Sequence, residues 1–138
     1  MEAALRPLGV TALIARLGEL ILAGRLQEAT RFWSFPCPVE VEGELMVMRD
    51  AQALEAFFRH RSELARKAGL LRLIPRIVAI EVPRDGRFRV WLHWIHHFPD
   101  RAEEDRTPSV YFMVRRPSGE LSIEMMDTVR MPSGARIA

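Results

Sequence analysis

Hydrophobic positions near the start of the chain recur with the spacing of one helix face. From Val10 to Ile21 the apolar residues fall at positions i, i+3, i+4, i+7, i+10 and i+11, which predicts an amphipathic helix with one buried side. Gly24 interrupts this pattern. A short helical turn is expected after it, with one face formed by Leu26, Ala29, Phe32 and Trp33.

The pattern then changes from the helical period to a period of two. Pro36 and Pro38 exclude a helix, and apolar and polar residues alternate over residues 39–48, which predicts a small hairpin or two short strands. Asp50 is a suitable N-cap for a third helix, and Gly69 is expected to end that helix.

The second half of the chain is rich in β-branched, aromatic and methionine residues, which favours strands. Tight turns are expected at Arg84–Arg87 and Pro117–Glu120, and a longer, charged and solvated loop is expected at Pro99–Pro108. The predicted strands are Leu71–Val82, Arg87–Phe98, Ser109–Arg115 and Leu121–Met131.

Helices followed by a run of strands are typical of an α+β fold. We therefore predict N-terminal helices packed on one face of a curved antiparallel sheet, which has four long strands and a short hairpin. A twisted sheet around the first helix leaves a concave space in which a small molecule can bind. The expected domain spans residues 1–131, and residues 132–138 are expected to form a loose tail.

Composition and charge limit the classes of function. The chain has 138 residues, of which 49% are hydrophobic, and 20 Lys and Arg against 18 Asp and Glu give a formal net charge of +2. Because the arginines are scattered among acidic residues, we predict no nucleic-acid partner. No apolar stretch approaches the length of a membrane span, and the N-terminus lacks the basic start of a secretory signal. We therefore expect a cytoplasmic protein with no membrane partner.

The presence of only one cysteine excludes two further kinds of chemistry. Cys37 has no partner for a disulfide within the chain and cannot alone build a thiolate-rich metal centre, so we expect a small buried thiol. The sequence has no Gly-rich phosphate loop, no nucleophile elbow and no nucleotide fingerprint. We therefore predict no cofactor.

Three histidines lie close together in the second predicted strand. On a helix, His93, His96 and His97 would share a face and could bind zinc, whereas on a strand His96 points away from the other two. His93 and His97 would then lie about 13 Å apart along the strand. The strand interpretation is favoured, and we predict no metal site.

The same alternation assigns one face of this strand to the concave side, because that face is the more apolar one; its residues are Val90, Leu92, Trp94, His96 and Phe98. A single histidine at the mouth of an apolar pocket can act as a general acid or base. The alternative is a histidine that is hydrogen-bonded to a loop carbonyl and has only a structural role.

Asp127, in the last strand, is in register with the apolar residues Leu121, Ile123 and Met125. If this face is concave, Asp127 is a carboxylate in a low dielectric and suits proton transfer; otherwise it lies in water or beside an arginine. Glu124 takes this role if the facing is inverted.

Other polar and aromatic residues are candidates for ligand contacts. Arg76 is the only charge in an apolar row of its strand, where it would clamp a carboxylate or extend to the rim. Tyr111 offers either a hydroxyl donor or a core ring. The candidate catalytic residues are thus His96 and Asp127, and the candidate substrate-binding residues are Trp94, Arg76, Tyr111, Phe58 and Trp33.

Several stretches carry a resemblance to a known family. They are Ala23–Ala29 with Phe32 and Trp33, then Asp50–Phe58, and the strand segments Arg76–Val82, Val90–Trp94 and Gly119–Ile123. Over roughly residues 8–131 the chain resembles the nuclear-transport-factor-like superfamily of cone-shaped α+β barrels, particularly its polyketide-cyclase-like (SnoaL-like) members. The resemblance implies a pocket and a homodimer but no particular reaction. Ketosteroid-isomerase-like members carry a tyrosine near the first helix, and the only tyrosine here is Tyr111, so that site is not carried over.

Two classes of function remain open. The first is a cofactor-independent proton-transfer enzyme, of lyase, isomerase or cyclase type, acting on a small apolar molecule. The second is a non-catalytic ligand-binding or assembly module that forms a homodimer through the outer sheet face. An aromatic strip on that face motivates the second class; it comprises Trp91, His93, Ile95 and His97.

Overall fold

The computed structural model describes residues 8–100 and 105–128. The helices are α1 (Val10–Leu22), the single turn α2 (Leu26–Ala29), a 3-10 turn (Thr30–Phe32) and α3 (Ala51–Lys67). The strands are β1 (Cys37–Val41), β2 (Glu44–Met48), β3 (Arg72–Ile80), β4 (Arg87–His97), β5 (Asp105–Arg115) and β6 (Leu121–Thr128).

The two long helices form where the sequence places an apolar face, and α3 also has a side-chain cap. Helix α1 buries Leu13, Ile14, Leu17 and Leu20 on the side that its hydrophobic spacing predicts. Helix α3 begins after Asp50, whose side chain accepts a hydrogen bond from the backbone N of Ala53 at 2.9 Å. No helix among the described residues is both long and apolar enough to cross a membrane.

The strands form one curved sheet in the order β2-β1-β6-β5-β4-β3, with the helices on its concave side. Neighbouring strands are antiparallel, except that β1 and β6 run parallel to each other. The sheet does not close, so β2 and β3 are its edges. This arrangement confirms the predicted α+β class, with four long strands and a short hairpin.

The turn between β3 and β4 has the backbone conformation that its Asp-Gly sequence predicts. Asp85 and Gly86 both have positive φ, and Arg84 and Arg87 exchange two backbone hydrogen bonds of 2.9 Å across them. A two-residue hairpin loop of this type requires positive φ at both positions, and Asp-Gly meets that requirement. The predicted turn is confirmed.

The predicted start of one strand in the second half of the chain was wrong. Strand β5 begins at Asp105, so the four residues before Ser109 belong to the sheet rather than to a solvated loop. Pro108, the last residue of the predicted loop, pairs with His93 within the ladder. Residues 101–104, the end of the last predicted strand and the expected tail 132–138 lie outside the described residues.

Strand β6 contains an irregularity that decides which side chains face the helices. Met113 pairs with Ile123 and the preceding Phe112 pairs with Met125, so Glu124 is an extra residue in β6. Such a bulge reverses the inward and outward alternation that a regular strand would keep. After Glu124, the residues that face the concave side are therefore the even-numbered Met126 and Thr128, both buried.

The core lies between the helices and the concave face of the sheet. It contains Leu17 of α1, Leu54 of α3 and Ile123 of β6, each without exposed surface. Cys37 is fully buried as expected, and burial raises the pKa of its thiol to about 11. The thiol is therefore protonated at neutral pH and is not a nucleophile.

Candidate functional site

A cavity of about 380 Å³ opens between helix α3, the end of α1 and the concave face of the sheet. Strands β3 to β6 form its floor, and α3 forms the opposite wall. This volume is in the range of small-molecule sites in proteins. The concave space expected from the sequence is therefore present, with α3 as its main helical wall.

Helix α3 lines the cavity through residues spaced by one turn. Phe57, Arg61 and Ala65 succeed each other at intervals of four, and Phe58 and Ser62 lie beside them on the same face. The two phenylalanine rings contact each other with centroids 5.7 Å apart. These five residues form an apolar stretch with one cation and one hydroxyl, and the exposed Arg59, Glu63 and Arg66 of α3 also line the cavity.

Strand β5 contributes a column of polar side chains to the floor. Thr107, Ser109 and Tyr111 alternate along the strand and all face the cavity. Ser109 pairs across the strands with Thr128 of β6, which brings a further hydroxyl into the floor. Each of these four residues is buried in the folded chain.

Trp94 and Tyr111 are joined by a hydrogen bond in the middle of the floor. The indole Nε1 of Trp94 donates to the hydroxyl oxygen of Tyr111 at 3.0 Å. Burial raises the pKa of Tyr111, and this effect exceeds the opposing effects of the Trp94 hydrogen bond and the Arg61 charge. The phenol is therefore protonated, and its proton is directed to an acceptor other than Trp94.

His96 lies on the same strand as Trp94, two residues further along. It is 7% exposed, and its Nδ1 has no hydrogen-bond partner among the described residues. Burial lowers the pKa of His96, and the backbone and carboxylate of Asp105 oppose this effect only in part. The imidazole is therefore neutral at pH 7 and can accept a proton.

Arg61 places a positive charge against the apolar wall. Its guanidinium carbon lies 5.5 Å from the centroid of the Phe57 ring, which is within the range of a cation–π contact. Burial lowers the pKa of Arg61, and Glu42 and Tyr111 oppose this effect. The guanidinium remains charged at neutral pH because its ordinary pKa is so high.

Four of the seven predicted site residues line the cavity. Trp94, His96, Tyr111 and Phe58 all contribute to its surface. Trp33 lies behind this surface, where its ring contacts Phe58 at 5.3 Å and Tyr111 at 6.2 Å between centroids. Trp33 therefore supports the wall and does not form it.

The expected placement of Asp127 on the concave face was wrong. Its neighbours Met126 and Thr128 line the cavity, and Asp127, which is between them, faces the outer side of the sheet. The bulge at Glu124 causes this reversal, since a regular strand would have turned Asp127 inward with Ile123. Glu124 itself forms an ion pair with Arg87, with Oε1 and Nε 3.0 Å apart.

The expected placement of Arg76 in the pocket was also wrong. Arg76 pairs with His93 on the outer face and is exposed, whereas Leu73 of the same strand lines the cavity. His93 and His97 share the outer face with Arg76, because only His96 of the three histidines points inward. The histidines are therefore divided between the two faces, as the strand interpretation predicts.

The sequence analysis missed Arg61 and the hydroxyls of β5 and β6. A signal for Arg61 exists, since Phe57, Arg61 and Ala65 follow the i, i+4 spacing of one helix face. Thr107 and Ser109 alternate with Tyr111, and this pattern would have placed them inward if the strand had been extended to Asp105.

Comparisons of sequence found no relative of the chain. No protein-family model matches it, and no curated protein matches it either. Comparisons of structure did find matches. A domain of unknown function with a cystatin-like fold from Nostoc punctiforme superposes with a TM-score of 0.70 at 12% identity, covering 91% of this chain and 76% of that one.

Two further structures bear the family's name. An NTF2-like protein with a cystatin-like fold from Novosphingobium aromaticivorans has a TM-score of 0.65 at 14% identity, covering 91% of this chain and 81% of that one. An NTF2-like protein of unknown function from Shewanella oneidensis has a TM-score of 0.66 at 11% identity, covering 87% and 95%. This chain has the nuclear-transport-factor-like fold.

The nuclear-transport-factor-like fold confirms the resemblance inferred from the sequence. At these identities the likeness concerns the fold alone, and two of the three structures are themselves described as having unknown function. The narrower resemblance to polyketide-cyclase-like members stays a prediction. Function must therefore be argued from the cavity and its side chains.

Proposed function

We propose that this domain binds a small molecule with an apolar body in the cavity and that His96 exchanges a proton with it. The observation that carries the proposal is the buried His96 side chain, which faces the cavity with an Nδ1 that has no partner among the described residues. A buried polar atom without a partner is uncommon in proteins and points to a group that arrives later.

The neighbouring residues give the two parts of such a reaction. A neutral imidazole accepts a proton from a carbon next to a carbonyl, and the Tyr111 hydroxyl donates a hydrogen bond to the oxygen on which negative charge develops. His96 then returns the proton to carbon. The substrate class is therefore an apolar carbonyl compound, and the reaction class is proton transfer of lyase, isomerase or cyclase type without a cofactor.

A neutral ketone with acidic carbon-bound protons tests this function. With 2-tetralone, we expect binding in H₂O to shift the indole N–H signal of Trp94 in NMR spectra. In D₂O, we expect exchange of the carbon-bound protons of the ketone to be accelerated about tenfold or more. His96→Gln should keep binding and lose the acceleration, and Ser109→Phe should lose both because its ring fills the cavity. Since burial lowers the pKa of His96, the acceleration should persist from pH 8 to about 6.5 and decline at lower pH.

Matched controls are available on the surface. His60→Gln on the exposed side of α3 and Ser118→Phe in the β5–β6 turn make the same chemical changes away from the cavity and should behave as the wild type. Binding without acceleration in the wild type would contradict proton transfer and favour a non-catalytic ligand-binding module. Absence of binding would contradict the proposed function as a whole.

The outer face of the sheet favours an assembly role as a second function. Trp91 is 40% exposed there, with the guanidinium of Arg89 5.3 Å from its ring centroid. Aromatic and arginine side chains are enriched at protein interfaces. Ile95, in contrast, is 1% exposed, so it is already covered within one chain and contributes less to such a surface than expected.

We therefore propose a homodimer through the outer sheet face. Sedimentation velocity over a concentration series should show a dimer, and Trp91→Glu should convert it to a monomer because a carboxylate is costly to bury in an interface. Leu45→Glu, which changes an exposed hydrophobic residue on the other edge of the sheet, is the control and should remain dimeric. A wild-type monomer at every concentration would contradict the proposal.

A further inference from the structure

Two small hydroxyl side chains lie opposite each other on the floor of the cavity. Ser109 of β5 and Thr128 of β6 are Cα partners in the antiparallel ladder, and both line the cavity. They are 4% and 8% exposed, respectively. Directly opposite residues in such a ladder have Cβ atoms about 4.5–5.5 Å apart, so one oxygen atom between the two side chains can reach both hydroxyls. These two residues form the hydroxyl pair of the cavity.

The hydroxyl pair has no hydrogen-bond partner within the described part of the chain. Neither side chain forms a hydrogen bond with residues 8–100 or 105–128, whereas Thr107, the preceding hydroxyl of β5, already interacts with another residue. Both members of the pair lie on interior strands, where the backbone ladders on either side already use the neighbouring N–H and C=O groups. Because a buried hydroxyl without a partner costs free energy, the pair is suited to a polar group that enters the cavity.

The next pair of residues along the same two strands is much larger. Tyr111 and Met126 are also Cα partners, and both line the cavity. They lie about 7 Å along the strands from the hydroxyl pair. Because Ser109 and Thr128 are short, the floor is lower beside the phenol ring and the methionine. The result is a recess with two hydroxyls at its base and apolar side chains next to it, which takes only a small substituent.

We propose that the ligand carries a hydroxyl group, separate from its reacting carbonyl, that binds in this recess between Ser109 and Thr128. A hydroxyl is neutral and small, and it can donate to one side chain while it accepts from the other. This inference rests on the proposed function, because it names the substrate more closely, as an apolar ketone with a second oxygen. The hydroxyl pair then determines specificity, and proton exchange is left to His96.

Pairs of ketones with the same shape test this preference. The probes are 2-tetralones with either a hydroxyl or a methyl group at ring position 5, 6, 7 or 8, because the two groups are similar in size and only the hydroxyl forms hydrogen bonds. At one or more of these positions, we expect the hydroxyl compound to bind to the wild type at least about fivefold more tightly than the methyl compound, which corresponds to about 1 kcal/mol. A site built to bond a hydroxyl rejects an analogue that lacks it. Dissociation constants are measured in H₂O from the indole N–H signal of Trp94.

Removing the hydroxyl pair should reverse the preference. In the double variant Ser109→Ala/Thr128→Val the recess is apolar, so the methyl compound should bind more tightly than the hydroxyl compound with the same ring position. The matched control is Ser118→Ala/Thr11→Val, which removes the same two groups from exposed positions outside the cavity lining and should keep the wild-type preference.

The wild-type comparison separates this inference from the proposed function. If no hydroxyl compound reaches the expected preference over its methyl counterpart, the inference is overturned, and the binding of 2-tetralone itself decides whether the proposed function stands. A preference that survives in Ser109→Ala/Thr128→Val would also overturn the inference. If neither 2-tetralone nor any of its derivatives binds, both proposals fail. The comparison of probes on the wild type needs no variant, so it holds even if the double variant does not fold.

Discussion

Replacing Trp94 with alanine should lower the free energy of unfolding by about 3–5 kcal/mol, the usual cost of removing a large buried aromatic side chain. The indole is 7% exposed, contacts α1 at Gly18 and donates its N–H to Tyr111. Its loss leaves a void under α1 and removes the donor that orients the phenol. Urea denaturation followed by circular dichroism measures the change.

Trp91→Ala provides the matched comparison for this prediction. The same side chain is removed three residues earlier in the strand, from the outer face, where the indole is 40% exposed. We expect a loss of about 1 kcal/mol or less at the same dilute protein concentration, as for most surface substitutions. Similar losses for the two variants would show that the Trp94 side chain does not have the core role assigned to it.

Replacing Gly18 with valine should be the second most damaging change, with a loss of about 1–3 kcal/mol or more from overpacking. A Cβ atom at Gly18 would lie 2.9 Å from Cζ3 of Trp94 and 3.3 Å from the backbone oxygen of Leu73. In helix propensity alone, replacing glycine with valine would gain about a few tenths of a kcal/mol. Close approach of α1 to the sheet therefore explains why glycine occupies this position.

Ala15→Val is the control, since it introduces the same side chain on the exposed side of α1 and should cost only a few tenths of a kcal/mol in helix propensity. The Gly18→Val penalty should also shrink when Trp94 is alanine, because the indole that obstructs the new side chain is gone. If the penalty is the same in both backgrounds, Trp94 is not the obstacle.

The inward face of β4 could be predicted from the sequence because β4 pairs with β5 without a register shift, so its side chains alternate regularly between the two faces. From Val90 to Phe98 every second residue is buried, and this regularity identified Trp94 and His96 as cavity residues. The hydrophobic spacing of α1 and the Asp-Gly turn were equally informative, since each depends only on residues close in sequence. Local sequence patterns were therefore sufficient to predict these elements of secondary structure and part of the candidate site.

The placement of Asp127 and Arg76 depended on information that is not local. The bulge at Glu124 is defined by the pairing of β6 with β5, and nothing in residues 121–128 alone shows where the extra residue lies. Arg76 lies on β3, an edge strand with apolar residues on both faces, so alternation does not distinguish them. Arg61 was missed because it interrupts the apolar stripe on which the helix prediction was based.

The short hydroxyl side chains of β5 and β6 have a consequence for how this fold diversifies. The floor of the cavity is open because Thr107, Ser109 and Thr128 are small, and the strands beneath them are held by backbone ladders that do not depend on those side chains. Larger residues at these positions would change the shape of the cavity and leave the sheet unchanged. Chains that share this fold can therefore bind ligands of very different size. Similarity of the overall fold says little about which ligand each chain binds.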